Sequence, residues 1–597
     1  MIYNPLDKFY KSIIGAVPEN KTIKFRVKGN FNSVNFILKK DGGQDAIYKM
    51  HKKEGFFEVD LSFSVGLYFY CFCIDDGRYI SLGDNYNSIL SREKNYYQLT
   101  VFAKNFEVPS WIYGGIIYQI FPDRFNISSH KSIDTDRFLH KNLSDTPFFL
   151  PNENGKVLNN DFYGGNIQGV IEKLPYISSL GVSVIYLNPI FKAYSNHRYD
   201  TGDYMQIDPL LGDLDDFKQL ITQANDYGIK IVLDGVFNHT GDDSLYFNKY
   251  ARYDSIGAYQ DENSPYRNWF NFKNYPNDYE SWWGITTLPA TNKNNQEFLD
   301  FITGENGVIE SYSKLGIGGW RLDVVDELPS HFVKRIRSAV KKVNPSAIVI
   351  GEVWEDASNK ISYGVRREYF CGNELDSVMN YPLKNAIIEY VITSNEKTLI
   401  KVIKEQIDHY PSKCLHALMN MLSTHDTYRI ISALSGVQVG DLSKLEQSKI
   451  TLDKTQYENA VKKVKLATVL QYTLMGVPSI YYGDEIGMQG FTDPLNRKFF
   501  DYKNVDEKLL SWYTILGKIR KEFSCFNQGD FAEIYSKNGV LVFKRFDEES
   551  EVLVAVNASN KEVKLCFEGS LFDLINKTKI QEEITLGENQ AMILACL

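Results

Sequence analysis

The sequence predicts an α/β protein: a (β/α)₈ barrel with a subdomain inserted after its third strand, an N-terminal β-sandwich and a C-terminal antiparallel β domain. Three observations lead there. Eight short apolar runs without clean alternation follow Trp111, as expected of strands buried on both faces. Helical stretches separate many of them, and Asp323 and Glu352 stand 29 residues apart, about one strand–helix unit. Both ends of the chain alternate apolar and polar residues, the period of a half-buried strand.

Residues 1–108 make the sandwich. Its strand candidates are 22–28, 33–39 and 66–74, with turn signals at Gly42-Gly43 and Asp75-Asp76-Gly77. Tyr68, Tyr70 and Phe72 read as its core. The barrel takes residues 109–239 and 299–521. Its eight runs are 115–121, 182–187, 230–234, 318–323, 347–352, 375–379, 418–422 and 478–482, and 331–342 is one of its helices. Asp234 and Asp323 are 89 residues apart, far more than one unit, so residues 240–298 form the inserted subdomain. In it, Trp282 and Trp283 read as bulky filler for a core with few helices, with a lid whose aromatics stack on sugar rings as the alternative. Residues 522–597 alternate again, at 541–546, 552–556 and 562–567.

Composition narrows the function. The 597 residues are 43% hydrophobic and 24% charged, which excludes a disordered chain, and no apolar run is long enough to span a membrane. A net charge of −9 argues against nucleic acid as a partner. Aromatics reach 14%, suited to cores and to stacking on sugar rings. Seven scattered cysteines show no zinc-ligand spacing and no disulfide framework. The first ten residues hold Asp7 and no apolar stretch after a basic start, so the reading is a cytoplasmic enzyme without a secretory signal.

In barrels of this kind the active site lies at the C-terminal ends of the strands. There the sequence places Asp234, with Asn238 and His239 beyond it, then Arg321 and Asp323, Glu352, and His425-Asp426. Three carboxylates, an arginine and two histidines at one mouth suit glycoside hydrolysis, in which one carboxylate attacks the anomeric carbon and another protonates the leaving oxygen. Arg321 and Asp323 are two apart on one strand and point to the same face. That fixed cation is expected to keep Asp323 ionised, while a partly dry pocket and the charge of Asp426 keep Glu352 protonated.

The blocks Asp234-Gly-Val-Phe-Asn-His239, Gly319-Trp-Arg-Leu-Asp-Val-Val-Asp-Glu327, Gly351-Glu-Val-Trp354 and Ser423-Thr-His-Asp426 resemble the four signature regions of the α-amylase family, glycoside hydrolase family 13. Flanking segments at 117–125, 196–204 and 480–487 fit too, so the resemblance covers about residues 111–502. It implies Asp323 as nucleophile, Glu352 as general acid/base and Asp426 as transition-state stabiliser. It implies that Arg321 orients Asp323 and Asp234 braces the site. His239, His425 and Tyr199 would contact the sugar at the cleaved position, and His197 of the flanking segment would join the substrate-binding residues. The family retains anomeric configuration, which implies a carboxylate separation of about 5–5.5 Å.

A β-rich domain before the barrel resembles the cyclomaltodextrinase, neopullulanase and maltogenic amylase group. By that likeness Asp493 and Arg497 contact sugars on the non-reducing side, and Trp354 and Glu327 lie on the acceptor side. The expected substrates are malto-oligosaccharides, cyclodextrins, pullulan or starch, and the resembled group is often dimeric. Two blocks that track bond preference depart from the group: Leu288-Pro-Ala-Thr-Asn292 stands for Met-Pro-Lys-Leu-Asn, and Val324-Val-Asp-Glu327 for Val-Ala-Asn-Glu. The choice between α-1,4 and α-1,6 cleavage therefore stays open, as does transglycosylation, and a non-catalytic carbohydrate-binding homologue would require a lost acid. No cofactor is required. Calcium remains an option: relatives use a Gly-Gly-Asp that here reads Gly164-Gly165-Asn166, with Asp134 and Asp136 as compensating acids, and no metal ligand is assigned.

Overall fold

The computed structural model describes residues 2–84, 86–128, 137–153 and 155–596. Eight parallel strands form its centre: β1 Ile117–Ile120, β2 Val184–Leu187, β3 Lys230–Gly235, β4 Gly319–Leu322, β5 Ile348–Gly351, β6 Ser377–Val378, β7 Met419–Met421 and β8 Val477–Tyr481. They pair in the order β6-β5-β4-β3-β2-β1-β8-β7, and a parallel bridge from Met379 to Met419 joins the two ends of that series. All eight apolar runs of the sequence become barrel strands, most of them trimmed at one or both ends. Their residues are buried almost without exception, which is why the runs lack a polar face.

Two local features fix β4, which carries Arg321 towards the site. A Cβ at Gly319 would lie 2.1 Å from the Ile348 carbonyl oxygen, so only glycine lets β4 approach β5 there. The helix Ser330–Val343 that follows buries Phe332, Val333, Ile336, Ala339 and Val340, one stripe at helical spacing, and ends on Lys341 and Lys342 where the helix dipole favours cations.

Between β3 and β4 the chain makes an excursion of short elements packed on their own aromatics. Phe247 meets Phe270, Phe272 and Tyr279 at ring-centroid distances of 4.7–5.8 Å. Trp283 does not belong to that core. It is 76% exposed, so its reading as filler is corrected: the small core is closed by Phe247, Trp269 and Phe270 without it.

Ahead of the barrel, Ile23–Lys28 pairs with Phe56–Leu61, and Val34–Lys40, Gly66–Ile74 and Tyr97–Phe102 join a second sheet. Tyr68, Tyr70 and Phe72 lie in the core between them. This domain is tied to the barrel by a fully buried ion pair, Lys11 Nζ to Asp408 at 2.6 Å, to which the Tyr86 hydroxyl also donates. After the barrel, six antiparallel strands run from Asp530–Lys537 to Gln590–Cys596. The six cysteines whose side chains are described are all free thiols. Among the described residues no helix is long and apolar enough to cross a membrane.

Candidate active site

The C-terminal ends of the barrel strands open into a cavity of about 1330 Å³. Eleven of the thirteen residues singled out in the sequence line it: His197, Tyr199, His239, Asp323, Glu327, Glu352, Trp354, His425, Asp426, Asp493 and Arg497. The other two, Asp234 and Arg321, lie buried beside them.

Arg321 is the centre of the arrangement. In the β3–β4 register it stands opposite Asp234, so the two side chains meet laterally. Its Nη1 bonds Asp234 Oδ1 at 2.8 Å and Asp323 Oδ1 at 2.9 Å, and its Nη2 lies 2.8 Å from Glu352 Oε2. One guanidinium thus touches three carboxylates. Glu352 receives two further donors, the Val324 amide at 2.8 Å and Trp354 Nε1 at 3.1 Å. Val324 has φ of 38° and ψ of 51°, the left-handed region that a β-branched residue adopts at a cost. That conformation turns the amide following Asp323 towards Glu352.

Beside this group runs a hydrogen-bonded chain of neutral side chains. Tyr186 and Tyr199 donate to Asp234 Oδ2 at 2.6 and 2.8 Å. Tyr199 Oη also meets His425 Nε2 at 2.6 Å, while His425 Nδ1 faces Gln119 Nε2 at 2.9 Å. Because Gln119 Nε2 can only donate, His425 carries its proton on Nε2 and gives it to Tyr199. Burial, reinforced by Arg497, holds His425 well below the usual histidine range, and burial takes His239 down to about 3, so both act as neutral groups. His197 accepts the Tyr199 amide on Nδ1 at 3.1 Å.

At the far side Arg497 donates Nε to the His425 carbonyl at 2.9 Å, and its Nη1 and Nη2 pair with Asp493 at 2.8 Å and Asp426 at 3.3 Å. At the opposite wall Trp354 lies on Tyr381 with ring centroids 3.9 Å apart. Glu327 holds Trp283 Nε1 on one oxygen at 3.0 Å and the Tyr363 hydroxyl on the other at 2.6 Å. Trp283 falls in the segment whose aromatics the sequence also allowed as a sugar-stacking lid, whereas Tyr363 carries no sequence signal for a site. Tyr363-Gly364 reads as an ordinary turn, and only the exposure of its ring marks it.

Burial acts on the acids of this group alongside their partners. Burial pushes the Asp323 carboxyl well above the usual range, against the pull of Arg321, and Glu352, Asp234 and Asp426 push the same way as burial. Burial also raises Asp426, to about 7, against the opposing pull of Arg497. Too few cations face too many acids, so the group shares protons as a set.

Among the described residues, the oxygens near the calcium segment already have partners. Asn166 caps the helix Ile167–Glu172 by accepting the Gly169 amide, and the Asp123 oxygens accept the Tyr163 and Gly164 amides and pair with Arg124. Oxygens so committed, next to an arginine, do not fit a divalent cation. Asp134 and Asp136 lie outside the described residues. Among the described residues no group of three or more His, Cys, Asp or Glu side chains could hold a metal.

Comparison with known proteins agrees with this geometry. Residues 119–522 match the family model "Alpha amylase, catalytic domain". The chain is 33% identical to an amylopullulanase of Thermoanaerobacter thermohydrosulfuricus over 90% of its own length and 40% of that protein's. It is 32% identical to a cyclomaltodextrinase of Thermoanaerobacter pseudethanolicus over 76% and 72% of the two chains. The structure of a type III pullulan hydrolase from Thermococcus kodakarensis superposes with a TM-score of 0.70 at 26% identity, covering all of both chains. The chain spans only 34–50% of the length of the amylopullulanases it matches. The closed eight-stranded barrel, the signature blocks gathered at its mouth and a family match over most of the chain lead to one assignment: the chain belongs to the α-amylase family of glycoside hydrolases.

Proposed function

We propose that this chain is a retaining α-glucan hydrolase that cleaves α-1,4-glucosidic bonds in malto-oligosaccharides, cyclodextrins, pullulan or starch. The observation that carries this reading is the shared guanidinium: Asp323 accepts a hydrogen bond from Arg321 Nη1, and Glu352 forms an ion pair with Nη2. Carboxyl groups so tethered favour the short separation of a nucleophile and its acid, about 5–5.5 Å, over the wider spacing that admits a water for inversion. Asp323 attacks the anomeric carbon while Glu352 gives its proton to the departing glycosidic oxygen. The resulting glycosyl ester is then hydrolysed by water that Glu352 deprotonates. Asp426 takes sugar hydroxyls, and the neutral Tyr199–His425 pair supplies hydrogen bonds at the same unit.

Asp323→Asn is expected to lower turnover by at least about a thousandfold while β-cyclodextrin and maltohexaose still bind, because only the transition state loses its partner. Near-normal turnover in that variant would remove the assignment. Proton NMR of the first product formed should show the α-anomer. The departures at 288–292 and 324–327, together with the amylopullulanase likeness, favour α-1,6 cleavage as the second reading. Pullulan separates the two, since panose reports α-1,4 cleavage and maltotriose α-1,6.

A further inference from the structure

We infer that Asn496 is a positioning residue for the reaction: its buried side-chain amide fixes the loop after β7 and so sets the place of Asp426. This rests on the role proposed above for Asp426.

That loop has no regular structure of its own. Met421 ends β7, Asp426 stands five residues beyond it, and the next element is the short helix Ile430–Ala433. Thr424 and His425 are buried, so their carbonyls must find donors inside the protein. Within the loop the Thr427 hydroxyl accepts the Thr424 amide at 2.9 Å, and the Thr424 hydroxyl accepts the Asp426 amide at 3.1 Å. These bonds shape the turn but do not attach it to the barrel.

Asn496 makes the attachment. Its Nδ2 lies 2.8 Å from the His425 carbonyl oxygen, 2.8 Å from that of Thr427 and 3.3 Å from that of Thr424. One amide thus grips the backbone on both sides of Asp426. The Asn496 side chain is fully buried, and its Oδ1 meets no donor among the described residues. It serves as a donor alone, and an ionised Asp of the same shape would set an acceptor against three acceptors.

Asn496 is held in turn. Its carbonyl accepts Arg429 Nε at 2.9 Å, while Arg429 Nη1 reaches the Tyr482 carbonyl at 2.7 Å and Asp484 Oδ1 at 3.2 Å. The other oxygen of Asp484 accepts the Ser423 hydroxyl, where the loop begins. At Gly490 a Cβ would lie 2.5 Å from the Leu495 carbonyl oxygen and 2.6 Å from Asn496 Cα, so glycine lets the chain fold back this closely. The loops after β7 and β8 are therefore locked together at Ser423, Arg429 and, between them, Asn496.

The lock bears on the chemistry because Asp426 has little else to fix it. Its side chain is one-third exposed, and among the described residues its ion-pair partners are Arg497 and His425. Arg497 is the residue after Asn496, and His425 hangs on the backbone that Asn496 grips. The carboxylate can keep its place only while that backbone does.

The test measures kcat and KM for maltohexaose in the full chain. Asn496→Ala should lower kcat about thirtyfold with KM within about twofold, because a displaced stabilising group is felt mainly in the transition state. Asn496→Asp, of nearly the same volume, should lose as much, which separates the lost donor from a cavity. The pairing with Asp426→Asn decides. That variant should itself cost at least about a hundredfold in kcat, and adding Asn496→Ala should lower it no more than about threefold further, since the loop no longer carries the group whose place matters. A merely structural amide would cost the same factor in both backgrounds. That additive result, or near-normal kcat in Asn496→Ala, overturns the inference. If Asn496→Ala does not fold, Asn496→Asp takes its place in the cycle. Near-normal kcat in Asp426→Asn alone would instead remove the role proposed for Asp426, and this inference with it.

Discussion

Asp426→Asn should make the protein more stable above neutrality and no more stable in acid. Asp426 sits at the cavity mouth with its side chain one-third exposed, Oδ1 3.3 Å from Arg497 and Oδ2 3.1 Å from His425. Burial, only partly offset by Arg497, raises its carboxyl from 3.8 to about 7. A raised folded-state value means that the folded protein holds this proton more tightly than the unfolded chain does. The stabilisation is therefore full below 3.8 and lost as pH climbs through about 7. A gap of about three units, at about 1.36 kcal/mol each, bounds the effect near 4 kcal/mol. Solvent screening of a side chain one-third exposed reduces this to about 1–2 kcal/mol. In a chain of this size that is a rise in Tm of about 2 °C. The assay is differential scanning fluorimetry of wild type and variant, without sugar, at pH 4, 6 and 8. Arg497 keeps its partner Asp493, so no cation is orphaned by the change. A variant less stable than wild type at pH 8, or equally shifted at pH 4 and pH 8, would refute the reasoning.

Two further perturbations follow from the buried charges. Arg321→Met leaves three carboxylates without their shared cation and should cost about 3–5 kcal/mol, read as a lower urea midpoint. Arg321→Lys should hold most of that stability yet lose activity, because an ammonium cannot fork between Asp323 and Glu352. Lys11→Met strands Asp408 between the N-terminal domain and the barrel and should cost about 3 kcal/mol, part of which the double variant Lys11→Met/Asp408→Leu should restore.

The barrel was legible because its strands are buried on both faces, a condition that removes polar alternation and leaves runs such as 182–187 and 347–352 standing out. The site followed from topology: parallel strands put all their C-terminal residues at one end, so Asp234, Asp323, Glu352 and Asp426 had to meet. Exposure was not legible in the same way. Trp282 and Trp283 are adjacent and alike in sequence and both line the cavity, yet Trp282 lies between two rings while Trp283 is 76% exposed, with a left-handed backbone. Nor could the sequence join Asp41 to Arg366, which meet across 325 positions of the chain. The reading of an ionised Asp323 weighed one pair alone. Proximity to Arg321 is real, but the same arginine also serves Asp234 and Glu352, and burial acts on all of them.

That shortage of positive charge suits the proposed reaction. An acid catalyst must hold a proton while its neighbour holds none, and a pocket whose carboxylates were each neutralised by a separate cation would supply no such proton. Here burial raises the carboxyls of Asp323 and Asp426 beside Arg321 before substrate arrives. When Asp323 attacks, its negative charge vanishes into the ester bond, and in the same step Glu352 loses its proton and gains a negative charge. The pocket's net charge is unchanged, and the charge has moved from one carboxylate to the other across a guanidinium already paired with both, at 2.9 and 2.8 Å. Arg321 need not move for either state, so the arrangement stabilises the transfer without reorganisation, the condition under which fixed dipoles and ions lower a barrier most.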